Sequence, residues 1–322
     1  MKIVSFVPAP GKTRPHLKII EAKKPIPKKG EVLIRVSHAG LNNGDFEIFT
    51  GRQNKSVAKR LKTNPVITGI EMAGTVEKGG KRLSKGDLVV GYTNIFKGPW
   101  FHGEYVCLPE TKLVKVPEGW DASGAAAIIG GAVTAIAALE RIAKIKPGDR
   151  VLITGASGSV GTSAVQLACH LGAEVDATCH SSQVAFVAGE GAGNVYAYDA
   201  EGSSADVKSN RHKYTCVFDT APSLSFARAK SLLKPNGIYI TTMPHLDISG
   251  FVRSLASRRR WGFLLESDTD QKRLARLAQL METNVLRPIV DSIHSVDDAA
   301  SAFARQEERG KCGKILIDFS RH

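Results

Sequence analysis

Residues 150–161 read RVLITGASGSVG, and this stretch decides the fold class. Arg150–Gly155 is an apolar run closed by a turn residue, the pattern of a strand buried on both faces. Beyond it, Val160, Ala164, Leu167, Ala168 and Leu171 recur at helical spacing. Between strand and helix lies Gly155-Ala156-Ser157-Gly158-Ser159-Val160-Gly161. Placed there, Gly155 permits a tight exit from the strand, Gly158 lets backbone approach a pyrophosphate, and Gly161 lets the helix pack on the sheet. The helix start adds free N–H groups and a partial positive charge. Glycines so spaced are weak evidence alone, but in this strand–turn–helix context they predict a dinucleotide-binding loop.

Downstream, strands are expected at Val175–Cys179, Val195–Tyr198, Cys216–Asp219 and Gly237–Thr242, with helical segments between them. That alternation predicts an α/β unit with a doubly wound parallel sheet. Upstream, short strand-like runs at Glu31–Ser37, Gly69–Val76, Asp87–Gly91 and Glu104–Leu108 are punctuated by turns and predict a β-rich domain. Ala122–Leu139 is small, apolar and almost uncharged, which suits a tightly packed helix pair. Further helices are expected at Gln271–Glu282 and Ser295–Glu308, the second opened by a Ser295-x-x-Asp298 cap. The strand expected at Lys314–Phe319 returns to the first sheet, giving units over 1–120, 121–265 and 266–322, the last completing the first.

Composition narrows the class. A chain of 322 residues is long for one core. No run reaches the roughly 18 apolar residues of a membrane span, and the MKIVSFVPAPGK start is not a signal peptide, so a cytoplasmic protein is expected. Cys107, Cys169, Cys179, Cys216 and Cys312 are scattered without a C-x-x-C pair, against a disulfide framework or a cysteine-rich zinc lobe. Lys+Arg of 44 against Asp+Glu of 31 gives a net charge of +13, a surface that attracts anions. Arg52, Lys55, Lys59 and Lys62 form a helical stripe, read as a solvated face or a basic lid steering an anionic ligand. Aromatic residues are not interleaved with these charges, so nucleic acid is not an expected partner.

Taken in order, AGLNNGDFEIFTG (39–51), GIEMAGTVEKGGKRLSKGDLVVG (69–91), GEYVCLPETKLVKVPEG (103–119), AAAIIGGAVTA (125–135), IKPGDRVLITGASGSVGTSAVQLA (145–168), KPNGIYITT (234–242), LRPIVDSIHSVDDAASAF (286–303) and GKILIDF (313–319) resemble the medium-chain dehydrogenase/reductase superfamily. Within it the chain is most similar to the quinone oxidoreductase (zeta-crystallin-like) branch, near the reticulon-interacting oxidoreductases. The resemblance implies a GroES-like β domain built from both ends, a Rossmann domain between, an active site in the cleft and a homodimer. Zinc enzymes of the superfamily carry a Cys where Leu41–Asn43 runs here and a His before Glu71; this chain has Asn42 and Ile70. His38, His102 and Glu71 have no spacing that favours convergence on an ion, so no metal is expected.

The second strand of the parallel unit ends in Cys179-His180-Ser181-Ser182 rather than in an acid, and its hydroxyls suit a 2′-phosphate. Asp176 lies too deep in the strand for the ribose. By the resemblance, Tyr198 lies on the same side of the adenosine. NADPH is therefore the expected coenzyme; relatives often carry Arg or Lys where Ser182 stands, which leaves room for NADH. The resemblance also places Asn42 and Thr134 near the nicotinamide, with Asp219, Thr220, Ala221, Thr241, Thr242 and Met243 lining its ring. Tyr92 and His102 are candidate proton donors or pocket walls, and Glu47 stands where some relatives have Tyr or Lys. The expected activity is NADPH-dependent, metal-free reduction of quinones or other conjugated carbonyls by hydride transfer. The rivals are a ketone or aldehyde reductase, and an NADPH-binding protein acting through nucleic-acid or protein partners.

Overall fold

The computed structural model describes residues 1–7, 16–50, 66–93, 98–200, 210–264 and 270–320. The basic stripe Arg52–Lys62 lies outside them. The β-rich end contains β1 (Lys2–Val7), β2 (His16–Glu21), β3 (Glu31–Leu41), α1 (Asn43–Thr50), β4 (Val66–Ile67), β5 (Glu71–Lys78), β6 (Leu88–Tyr92), β7 (Tyr105–Pro109) and β8 (Leu113–Lys115). The middle runs α2 (Ala122–Ile136), β9 (Arg150–Thr154), α3 (Ser159–His170), β10 (Glu174–Cys179), α4 (Val184–Gly189), β11 (Asn194–Ala197), β12 (Tyr214–Asp219), α5 (Phe226–Leu232), β13 (Leu233–Thr241), α6 (Ile248–Leu255) and β14 (Arg260–Phe263). The chain then continues through α7 (Gln271–Glu282), β15 (Val290–Ser295), α8 (Ala299–Glu307) and β16 (Lys314–Asp318).

β9 is central in an all-parallel sheet of order β11-β10-β9-β12-β13-β14. Val151, Leu152 and Ile153 are fully buried. Leu152 faces a cluster with Tyr214, Val217, Phe226 and Tyr239, while Val151 and Ile153 face the opposite cluster beneath α2 and α3. A strand covered on both faces cannot alternate apolar with polar, and this is why the run is continuous. Each such side chain contributes about 1.5–3 kcal/mol by leaving water. The chain is thus an α/β protein with a Rossmann-like parallel sheet and a separate GroES-like β domain. The latter's larger sheet runs β15-β16-β3-β5-β6-β8, with β7 also on β3, beside a smaller β2-β1-β4 sheet. Pairing of β16 antiparallel to β3 brings the end of the chain back to this sheet.

Three details differ from the sequence expectations. Ala122–Leu139 is one helix rather than a pair: α2 begins on an Asp121 side-chain cap (Oδ1 to Gly124 N, 2.6 Å) and runs into a π-helical stretch over Ala137–Ala143. Its packing partner is α3, brought close by Gly131. Ala122–Ala143 is also long and apolar enough to cross a membrane, but 83% of its apolar window is buried between the domains, as in a core helix. The Ser295 cap does not form; a 3-10 turn over Val296–Asp298 precedes α8, and Asp298 accepts from Ser301 Oγ at 2.7 Å. Finally, β14 (Arg260–Phe263) adds a sixth parallel strand where none was expected.

A Cβ on Gly131 would lie 2.3 Å from the Ser159 carbonyl oxygen, a backbone atom that cannot rotate away. Gly131→Ala is therefore expected to cost about 1–3 kcal/mol in urea denaturation. Gly189→Ala, at a helical site with no atom within 4 Å, should instead be neutral or gain up to about 1 kcal/mol. Equal effects at the two sites would refute the packing argument.

Candidate active site

The turn between β9 and α3 is shaped by three glycines that do different things. Gly155 has φ 64°, a left-handed value that side chains resist, and a Cβ there would meet the Ala221 Cβ at 2.8 Å. A Cβ on Gly161 would lie 2.3 Å from the Gly155 carbonyl, so helix and turn touch through backbone. Gly158 is open: nothing but the Gly155 oxygen, at 3.6 Å, is near its missing Cβ. Gly158 is also the N-cap of α3 and no side chain caps that end, which suits an anion. Ala156 N donates to Thr178 O at 3.0 Å, and Gly313 N, from the segment entering β16, donates to Ser157 O at 2.7 Å. Val160 and Ser159 stand in the first turn of α3, half-buried. This cradle fits a dinucleotide pyrophosphate.

β10 and β11 end side by side, with Cys179 in register with Ala197. Cys179 is buried and burial pushes its thiol up to about 11, so its backbone matters here: its carbonyl accepts from Tyr198 N at 2.9 Å. His180, Ser181 and Ser182 form the turn beyond, and the Tyr198 ring meets His180 edge-on at 5.9 Å. A residue missed in the sequence joins them. Asp199 accepts from Ser181 N and Ser181 Oγ, both at 2.7 Å, and lies 3.3 Å from His180 Nε2. The Ser181 hydroxyl and N–H hold its carboxyl below the ordinary range.

At the next crevice, Asp219 is buried and braces the β12–α5 loop. It accepts from Thr154 Oγ1 at 2.5 Å, Ser223 Oγ at 2.9 Å and Tyr239 OH at 3.1 Å. Burial raises its carboxyl above the ordinary value although these donors pull the other way. Thr220 Oγ1 donates to Thr154 O at 2.6 Å, Thr241 Oγ1 accepts from Met243 N at 3.1 Å, and Thr242 Oγ1 reaches Thr220 O at 3.5 Å. Thus Asp219–Ala221 and Thr241–Met243 form one braced rim. A cleft of about 330 Å³ opens here, lined by Pro222 and Met243 on one side and by Asn43, Phe46, Glu47 and Gln306 on the other.

Asn42 stands beside Asn43 and is clamped. Lys314 Nζ, a donor only, contacts Asn42 Oδ1 at 2.8 Å, so the amide nitrogen must face Glu71, whose Oε1 it meets at 2.8 Å. Lys314 also pairs directly with Glu71 Oε1; the lysine is 4% exposed and the carboxylate fully buried. Gly130 of α2 makes room for this carboxylate, since a Cβ there would lie 1.9 Å from Glu71 Oε2. One turn further along α2, Thr134 Oγ1 donates to Gly130 O at 2.7 Å. Tyr92 is buried opposite Glu71 across β5 and β6, and His102 is buried with Nδ1 on Thr68 Oγ1 and Nε2 on Gly40 O. Neither Asn42, Thr134, Tyr92 nor His102 lines the cleft; the neighbouring Asn43 does. Lys314 and the clamp were missed because the partners lie 243 and 272 residues apart.

The alcohol dehydrogenase GroES-like domain family matches residues 28–118, and the zinc-binding dehydrogenase family matches residues 191–317. A chloroplastic quinone-oxidoreductase homolog of Spinacia oleracea is 30% identical over 313 residues, covering 94% of each chain. The chain belongs to the quinone oxidoreductase family of medium-chain dehydrogenases/reductases. Chloroplastic quinone-oxidoreductase QR1 of Triphysaria versicolor is 29% identical over 311 residues, and the solved quinone oxidoreductase of Coxiella burnetii aligns with TM-score 0.86 at 27% identity over 99% of both chains. As a member of this family the chain is an oxidoreductase, in a superfamily whose members typically bind NAD or NADP. Its residues do not fit the zinc in the matched family's description. Among the described residues no three His, Cys, Asp or Glu side chains are grouped to hold an ion, and Glu71 already carries an ammonium.

In this quinone oxidoreductase relative, Lys314→Met would strand a buried carboxylate and is expected to cost about 3–5 kcal/mol in chemical denaturation. Adding Glu71→Gln should restore most of that loss. A double variant as unstable as the single one would refute the pairing.

Proposed function

We propose that the protein reduces quinones or other conjugated carbonyls by direct hydride transfer from a reduced nicotinamide dinucleotide, without a metal. The cleft carries this reading: it opens between the braced rim at the carboxyl end of the parallel sheet and α1, where ligands of open α/β sheets lodge. Gly155–Gly161 would hold the pyrophosphate, and Asp219–Ala221 with Thr241–Met243 would border the nicotinamide. When bound, the reduced coenzyme supplies a hydride. Phe46, Pro222 and Met243 give apolar walls that exclude water, and the clamped Asn42 fixes the neighbouring Asn43 at the edge of the cleft. Conjugated acceptors spread incoming charge onto a distant oxygen and need orientation more than acid catalysis. A saturated ketone needs a proton donor, and the candidates are withdrawn: Tyr92 is buried and both His102 nitrogens are engaged. Turnover of a quinone and enone panel with reduced coenzyme is expected; turnover confined to saturated ketones and aldehydes would overturn the reading. Gly158→Val, which the open space tolerates, should weaken coenzyme binding by about tenfold or more in fluorescence titration through loss of backbone contacts to phosphate.

We also propose a homodimer through α6 and β14. Ile248, Val252 and Leu255 are 66%, 61% and 74% exposed, and no described strand pairs with the outer edge of β14. An apolar patch at a free strand edge invites pairing with a second copy. Leu255→Glu is expected to shift a dimer to monomer in light scattering; a wild-type monomer would refute the interface.

A further inference from the structure

β10 and β11 end together beside the phosphate loop, where open α/β dinucleotide sites read the adenosine ribose. Ser157 Oγ lies 3.5 Å from Gln183 Oε1, so the turn over His180–Gln183 borders that loop directly. Both donors of Ser181 point at the Asp199 carboxylate. Ser182 N donates to His180 Nδ1 at 3.3 Å, which leaves that nitrogen without a proton and puts the imidazole hydrogen on Nε2, facing Asp199. Among the described residues no Lys or Arg is paired with the Asp199 carboxylate, whose pKa the Ser181 donors hold low. The Lys311 ammonium is held by the carbonyls of Gln306 (3.0 Å) and Glu308 rather than by the Asp199 carboxylate. The basic residue that would welcome a phosphate at position 182 is a serine.

A ribose with free 2′- and 3′-hydroxyls offers donors to a carboxylate, whereas a 2′-phosphate offers none and repels it. The acid in such sites ordinarily stands at the tip of the second strand; here it comes from the neighbouring strand and reaches the same turn. Resting on the dinucleotide reading above, we propose that Asp199 is the specificity-determining residue of the coenzyme site and selects NADH over NADPH. The hydroxyls of Ser181 and His180's ring are then supports for Asp199 rather than ligands of a phosphate.

The test is equilibrium binding of NADH and NADPH at one fixed salt concentration, by coenzyme fluorescence, to the wild type, Asp199→Asn and Ser182→Arg. The wild type is expected to bind NADH about tenfold or more tightly than NADPH, as like-charge exclusion implies. Asp199→Asn keeps the shape and an acceptor for Ser181, and should erase most of that ratio; Ser182→Arg should shift it toward NADPH. Because the readout is a ratio of two affinities, a partly unfolded variant does not mimic the effect. A wild type that prefers NADPH, or a ratio unchanged in Asp199→Asn, overturns the assignment while leaving the dinucleotide site standing. Failure of both coenzymes to bind overturns the site and the assignment together.

Discussion

The first turn of α3 is gripped from two sides by backbone contacts that no side chain can enter. On one side Gly161 lies against the Gly155 carbonyl; on the other Gly131 lies against the carbonyl of Ser159. These contacts fix where the uncapped end of the helix points, and with it the direction in which its N–H groups face. Bonds from Ala156 to Thr178 and from Gly313 to Ser157 then hold the turn against β10 and against the returning chain. Everything assigned to the cleft is measured from this anchored corner.

Adjacent glycines in α2 serve the two halves of the molecule. Gly131 admits α3 of the parallel unit, while Gly130 admits the buried Glu71 of the β domain. Successive helix residues point about 100° apart, so a single-residue step turns from one domain to the other. Position 130 also connects to Thr134 through a hydrogen bond one turn along. The helix is therefore a rigid spacer between the coenzyme cradle and the Asn42 clamp, and its lack of charge reflects burial on nearly every face.

What was legible in the sequence was local. The apolar run Val151–Ile153, the glycine turn and the helical spacing of α3 each follow from residues close in the chain, and the parallel architecture followed from their repetition. The π-helical continuation of α2 was not legible, because helix-pair and single-helix readings share one composition. The Ser295 cap failed because a cap motif states what a side chain can do, and a 3-10 turn satisfied the backbone differently. Lys314 and Asp199 were silent for a deeper reason: one lies in the final strand and the other beyond the third strand of the parallel sheet, and only tertiary pairing brings each to its partner. The tip of the second strand carries neutral hydroxyls, while the acid that holds them comes from the neighbouring strand.

Threading the end of the chain through the first sheet has a consequence for biosynthesis. β3 and β5 leave the ribosome early, yet β16, which lies against β3 and carries the cation for Glu71, emerges only after the whole parallel unit. The parallel sheet contains all its own strands and can close during translation. The β domain must wait, holding an exposed strand edge and an uncompensated carboxylate until residue 318 is free. Its maturation thus follows closure of the parallel unit.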